Sequence, residues 1–144
     1  IFDCLVGSEM CIRDSSLHFA TSLIFDGYSQ LNGTGNSDKM YGTAADDVFW
    51  SKDGADEIWG GNGSDTFLYT QTYQTDPGSH DTILDFNSSE DRIDISAITN
   101  GAGISRTLSN GTLFKIDSDN NGSYEMQWEL DDYTGTADDV TVIT

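Results

Sequence analysis

The chain has little that is basic. Six lysines and arginines stand against 25 aspartates and glutamates in 144 residues, a formal charge of −19. That imbalance excludes nucleic acid and anionic lipid as partners, because both would be repelled. Histidine occurs twice, at His18 and His80, and no H-E-x-x-H pattern is present, so no zinc protease centre lies in this sequence. No G-x-S-x-G pattern occurs either, which removes the usual hydrolase nucleophile elbow. No apolar run approaches the roughly 20 residues that span a bilayer. Proline occurs once, at Pro77, and no segment repeats at a helical period. Cysteine occurs only at Cys4 and Cys11.

Both cysteines lie in a segment that stands apart. Leu5 to Ser15, LVGSEMCIRDS, is similar to the translation of a transposase sequencing adaptor. Residues 1–15 are therefore read as a library artefact and set aside. Without them the chain has no cysteine, so disulfides contribute nothing. The natural N-terminus is expected to lie upstream. The acidic excess survives the removal.

What is abundant is a repeat. Asp38, Asp47, Asp56 and Asp65 fall at nine-residue intervals, and an apolar residue follows each by two: Met40, Phe49, Ile58 and Phe67. Self-similarity at a fixed period is the signature of a solenoid. The nonapeptides read GTGNSDKMY, GTAADDVFW, SKDGADEIW and GGNGSDTFL. A high net charge opposes compaction unless cations neutralise some carboxylates. With low hydrophobicity it would ordinarily mark disorder. Here aromatic and branched residues recur in register, which predicts order conditional on a ligand.

The last nonapeptide fits Gly-Gly-x-Gly-x-Asp-x-apolar-x at every defined position. This resembles the RTX (hemolysin-type) calcium-binding repeat, whose fold is a parallel β-roll. The resemblance implies that each nonapeptide makes a six-residue turn and a three-residue strand. Two nonapeptides complete a coil, so a turn stacks on the turn eighteen residues later. Residues 33–38 would pair with 51–56, and 42–47 with 60–65. Each half-site offers carbonyls and a carboxylate, an all-oxygen cage that suits Ca²⁺. Zn²⁺ would want His or Cys, and none are placed here. By resemblance, the first site takes Thr34, Asn36 and Asp38 with Ser51, Asp53 and Asp56. The second takes Thr43, Ala45 and Asp47 with Gly60, Asn62 and Asp65. The departures fall at Asn36 and Ala45, where the repeat has its fourth glycine, and at Ser51 and Lys52, where it has the first two. Asn tolerates left-handed backbone better than Ala, so Ala45 puts the second turn in question. Lys52 brings a positive charge near the cation.

The organisation expected is all-β: a short parallel β-roll, then an antiparallel, sandwich-like β cap. Residues 16–32 are a lead-in, with Ile24 to Asn32 a degenerate repeat placing Gly27 fourth and Leu31 eighth. Residues 33–69 are the roll, and 70–144 the cap and type I secretion region. Within it, 70–80 read as a loop, DTILDF and DRIDISAI as two strands around a turn, and TLFKID and YEMQWEL as further strands. VTVIT is a β-prone tail. DSDNNG, from Asp117, matches the start of an EF-hand loop, but the glutamate at loop position twelve is missing. A hairpin turn on Asn121-Gly122 explains it more simply.

Position nine carries Tyr41, Trp50, Trp59 and Leu68, pointing outward, with Tyr41 expected beside Trp59. Cross-strand packing is the simpler role. A surface for a glycan or a covering domain at Trp50 and Trp59 is the sharper one.

Residues 81–98 resemble the segment after the roll in C-terminal domains of serralysin-like metalloproteases and other type I secreted proteins. The later hairpin and the tail ending DDVTVIT resemble the same domains. The resemblance implies a calcium-binding module of a secreted, extracellular bacterial protein, folding on Ca²⁺ outside the cell and engaging type I secretion machinery. No catalytic constellation is present in this chain. It could be the tail of a secreted enzyme such as a serralysin-like zinc metalloprotease, or the terminal module of a large adhesin or surface-layer protein.

Overall fold

The computed structural model describes residues 11–14, 23–25 and 28–144, with side chains from Gln30 onward. Its strands are β1 (Cys11–Asp14), β2 (Leu23–Phe25), β3 (Tyr28–Asn32), β4 (Asp38–Tyr41), β5 (Asp47–Trp50), β6 (Glu57–Trp59), β7 (Thr66–Leu68), β8 (Asp81–Ile83) and β9 (Arg92–Asp94). A helical turn, α1 (Ser96–Thr99), leads to β10 (Ser105–Ser109), β11 (Leu113–Asp117), β12 (Met126–Leu130) and β13 (Thr141–Ile143). Two sheets result. One runs β1-β4-β6-β8-β12-β11-β10 and the other β13-β9-β7-β5-β3-β2.

The nonapeptide register builds the first half as expected. Odd and even nonapeptides feed opposite sheets, so each strand pairs in parallel with the strand eighteen residues on. Met40 lies opposite Ile58 and Phe49 opposite Phe67. Successive strand residues point to opposite faces, and the eighth position points in: Met40, Phe49, Ile58 and Phe67 are all buried. The lead-in joins this pattern, with Leu31 opposite Phe49 and fully buried. Gly27, the expected fourth residue of that degenerate repeat, lies outside the described residues, as do Cys4 and His18.

The parallel spiral continues beyond residue 69. DTILDF and DRIDISAI do not pair with each other around a turn. β8 adds in parallel to β6, and β9 adds in parallel to β7 in the other sheet. The coil has lengthened from eighteen residues because 70–80 and 85–91 are inserted between strands. β12 and β13 then add in parallel to β8 and β9. Beyond the spiral, the antiparallel part is β10-β11-β12. Its strands extend the sheet of β4, β6 and β8, β13 extends the other, and one apolar core runs through both halves from Leu31 to Val140. β10, SRTLS, is an edge strand too polar to announce itself. β11 and β12 form the expected antiparallel hairpin, closed by the loop 118–125, which contains Asn121-Gly122 and has positive φ at Asn120 and Gly122.

Four residues of the segment set aside as adaptor-like, Cys11–Asp14, pair antiparallel with the edge strand β4. An unpaired edge accepts backbone from any sequence, so this pairing says nothing about where the residues come from.

Candidate metal centre

The turns between strands stack into two rows. In the first, the amide N–H of Asp38 donates to Asp56 Oδ1 at 2.8 Å, and that of Asp56 donates to Asp81 Oδ1 at 3.0 Å. In the second, Asp47 N–H donates to Asp65 Oδ1 at 2.9 Å, and Asp65 N–H to Asp91 Oδ1 at 3.0 Å. Within a turn the carboxylate also reaches back. Asp38 Oδ2 accepts Thr34 N–H, and Asp47 Oδ2 accepts Thr43 N–H, both at 2.6 Å. Asp38, Asp47, Asp56 and Asp65 are each no more than 1 % exposed, so the rows are lines of buried like charge.

The structure stacks the turns that carry the sequence-derived candidates, and glycines mark where they meet. A methyl group on Gly33 would stand 2.2 Å from the Ser51 carbonyl and 3.1 Å from Asp38 Oδ2. One on Gly42 would meet the Gly60 carbonyl at 2.1 Å and Asp47 Oδ2 at 2.8 Å. One on Gly61 would overlap the Thr43 carbonyl at 2.1 Å. Gly54 and Gly63 press in the same way on Asn36 and Ala45. Carbonyls and carboxylates of turns eighteen residues apart thus converge where a side chain would not fit. Asp53 and Asn62 are exposed, and only their main chain belongs to the turns.

Ala45 does not strain the second turn. Asn36 and Ala45 stay out of the left-handed region, whereas Gly54 and Gly63, at the same position one coil later, have φ of 129° and 118°. At this fourth position glycine is needed only in the coil whose turn presses on the preceding one. Lys52 does take a left-handed φ of 69°, and its ammonium lies 5.3 Å from the Trp50 ring centroid.

The donor chemistry fits a hard cation. Asp38 Oδ1, Asp56 Oδ2 and Asp65 Oδ2 are buried and find no hydrogen-bond donor among the described residues. Buried polar atoms are otherwise almost always paired, and a carboxylate beside carbonyls is a Ca²⁺ ligand type. Without a cation, burial pushes the Asp65 carboxyl up to about 7, with the charges of Asp91, Asp47 and Asp85 adding and the Asp47 N–H opposing. Burial also raises Asp56 and Asp81, with Asp81 adding Coulombic repulsion at Asp56, and burial raises Asp91. An uncompensated buried charge costs several kcal/mol. One inward apolar side chain per turn returns roughly 1.5–3 kcal/mol. With one of each per turn, apolar burial alone does not offset the carboxylates.

The sequence reading missed the third-coil members, Asp81, Asp85 and Asp91. Asp85 accepts the N–H groups of Gly60 and Gly61 at 2.8 and 2.9 Å. Asp91 also accepts Asn87 N–H at 2.9 Å. Their signal was the repeated D-x-I in DTI and DRI, hidden by spacings of 25 and 26 residues.

Two other features resolve. In the 117–125 loop, Asp117, Asp119 and Glu125 lie within 4.8 Å of one another. That loop supplies donors of its own: Asp117 accepts the N–H of Asn121 and Gly122, and Glu125 Oε2 accepts Ser118 N–H, while Glu125 Oε1 is buried with no donor among the described residues. Outside, Tyr41 and Trp59 stack with centroids 4.5 Å apart and planes 10° apart, as neighbours. Trp50 sits on the opposite sheet from Trp59. Among the described residues no helix is long and apolar enough to cross a membrane.

No curated protein sequence matches the chain. Among solved structures, the AlgE6R3 subunit of the Azotobacter vinelandii mannuronan C5-epimerase is 32% identical, with 69% of each chain covered and a TM-score of 0.46. The family described as Peptidase M10 serralysin C terminal matches residues 10–139. With the match spanning both the spiral and its C-terminal strands, the chain belongs to that family, the RTX-type, non-catalytic end of serralysin-like proteins.

Proposed function

We propose that this chain is a calcium-triggered folding module at the C-terminal end of a protein exported by type I machinery. The observation that carries the reading is the pair of carboxylate rows, in which Asp38, Asp56 and Asp65 keep buried oxygens with no donor among the described residues. One cation would sit with Thr34, Asn36, Asp38, Ser51, Asp53 and Asp56. A second would sit with Thr43, Ala45, Asp47, Gly60, Asn62 and Asp65. Asp38, Asp47, Asp56 and Asp65 would contribute carboxylates, and Thr34, Asn36, Ser51, Asp53, Thr43, Ala45, Gly60 and Asn62 would contribute carbonyls. The ion supplies charge neutralisation that the chain's own donors leave incomplete.

At low cytosolic calcium the carboxylates repel and the roll stays open, in a form able to thread a secretion channel. Extracellular calcium modules bind at about 10⁻⁴–10⁻³ M, so the sites fill on arrival outside. Binding free energy then becomes folding free energy, because the unfolded chain holds no preformed site. The family's place in secreted proteins supports this compartment. A serralysin-like metalloprotease upstream is the parent that the family favours, ahead of an adhesin. The Tyr41–Trp59 stack uses ring faces that a sugar would need, which supports packing over glycan binding. Far-UV circular dichroism of the full chain tests the reading. Strand content should rise steeply between EDTA and millimolar Ca²⁺, and equal spectra would overturn it.

A further inference from the structure

Asp81 ends the first row, yet it differs from the carboxylates before it. It is fully buried. Its Oδ1 accepts Asp56 N–H, and its Oδ2 accepts two hydroxyls, Ser51 Oγ at 2.9 Å and Tyr69 Oη at 2.7 Å. Asp38 and Asp56, in the same row, each keep a buried oxygen with no donor among the described residues. The two hydroxyls come from informative places. Ser51 opens the third nonapeptide, where the other three open on Gly33, Gly42 and Gly60. The departure from glycine is therefore what supplies the donor. In the second row, Gly60 has no side chain to offer.

Tyr69 faces both halves of the protein. It is fully buried, and its ring meets Trp128 edge-on at 5.2 Å and 72°. Trp128 is also the residue opposite Asp81 in the parallel pairing of β12 with β8. The Thr75 hydroxyl reinforces the junction, donating to the Gln127 carbonyl and accepting Asp81 N–H. Burial and the Asp81 charge both raise the Tyr69 phenol well above its ordinary range, which keeps it a donor.

The geometry points to Ser51 and Tyr69 standing in for a cation beside Asp81, which makes Tyr69 the positioning residue that ties the first row to the packing of β12. This rests on the proposal that the rows bind calcium. It adds that the row's last step is closed by hydroxyls, and that the C-terminal strands order when the row does.

Two measurements on the full chain test it. The first counts bound calcium per chain by equilibrium dialysis and metal analysis. Asp81→Asn should bind as many ions as the unmodified chain, whereas Asp56→Asn binds fewer. An ion lost in Asp81→Asn overturns the assignment. The second follows hydrogen exchange across a calcium titration. In the unmodified chain, segments 38–68 and 126–130 should gain protection together. Tyr69→Phe keeps the ring but not the donor. It should delay protection of 126–130 by about tenfold in calcium, the weight of one charge-assisted hydrogen bond. Tyr133→Phe, whose hydroxyl bonds the Thr136 carbonyl instead, should show no such delay. Identical behaviour of the two Phe variants sinks the coupling. If Tyr69→Phe does not fold at any calcium concentration, the ion count of Asp81→Asn still decides. A chain that binds no calcium at all would fail the earlier proposal, a different result from either of these.

Discussion

Aspartates in the spiral and aspartates in the C-terminal loops live under opposite conditions. Asp56 and Asp65 are buried in line with other carboxylates, and burial raises both. Asp139 accepts the Thr136 N–H and hydroxyl, and those bonds hold it below its ordinary value. At Asp117 burial opposes ionisation, but the N–H groups of Gly122 and Asn121 outweigh it and the net direction is down. These two loop aspartates are satisfied largely by main-chain donors. The spiral spends its donors on neighbouring carboxylates and leaves oxygens over. The same residue type is thus self-sufficient in one half and conditional on a ligand in the other.

The sharpest way to break that contrast is to remove one carboxylate from each half. Asp56→Ala should raise the calcium midpoint for folding by about tenfold or more, since one charge-assisted contact is lost. Asp139→Ala should leave the midpoint where it was and only soften thermal melting. Equal shifts in a calcium titration followed by circular dichroism would erase the distinction.

Proton concentration gives the next largest effect. Asp65 ionises at about 7 in the metal-free fold against 3.8 ordinarily. A group raised in this way lends stability that is full below about pH 4 and is lost as pH rises through 7. In EDTA, strand content should therefore be greater at pH 5 than at pH 8. Calcium uptake near pH 7 should release protons, measurable with an indicator dye. Less structure at pH 5 would mean that carboxylate repulsion is not what opens the roll.

Glycine substitution sharpens the comparison further. Gly61 has φ 93°, and a methyl there would overlap the Thr43 carbonyl. Gly61→Ala should cost about 3 kcal/mol in saturating calcium, combining left-handed strain of about 1–2 kcal/mol with overpacking of similar size. Gly111, at φ 86°, faces open space. Gly111→Ala should cost only the backbone part, about 1–2 kcal/mol by chemical denaturation. A smaller cost at Gly61 would show that the stacked turns are loose.

The spiral was legible because two registers ran in phase. Met40, Phe49, Ile58 and Phe67 occupy the core at the position their spacing assigned, and Tyr41 meets Trp59 as expected. Periodicity stopped being visible at Leu68 because insertion lengthened the coil without changing its chemistry. Ile83 and Ile93 take the same inward places, opposite Ile58 and Phe67. β10 was invisible for another reason. Its first residues, Ser105 and Arg106, are exposed, and a solvated edge imposes no alternation on sequence. The site residues were readable as types, but the role of Ser51 was not. A hydroxyl aimed at a carboxylate thirty residues away has no local signature.

The bonds that link Asp38, Asp56 and Asp81, and Asp47, Asp65 and Asp91, run from the earlier amide to the later carboxylate, whereas Ser64 N–H donates back to Asp46 Oδ1 and Ala55 N–H back to Ser37 Oγ. The spiral is therefore unequal at its ends. Trimming the opening coil would uncover side-chain oxygens, which water welcomes. Trimming the closing coil would strand the amides of Asp56 and Asp65 without acceptors.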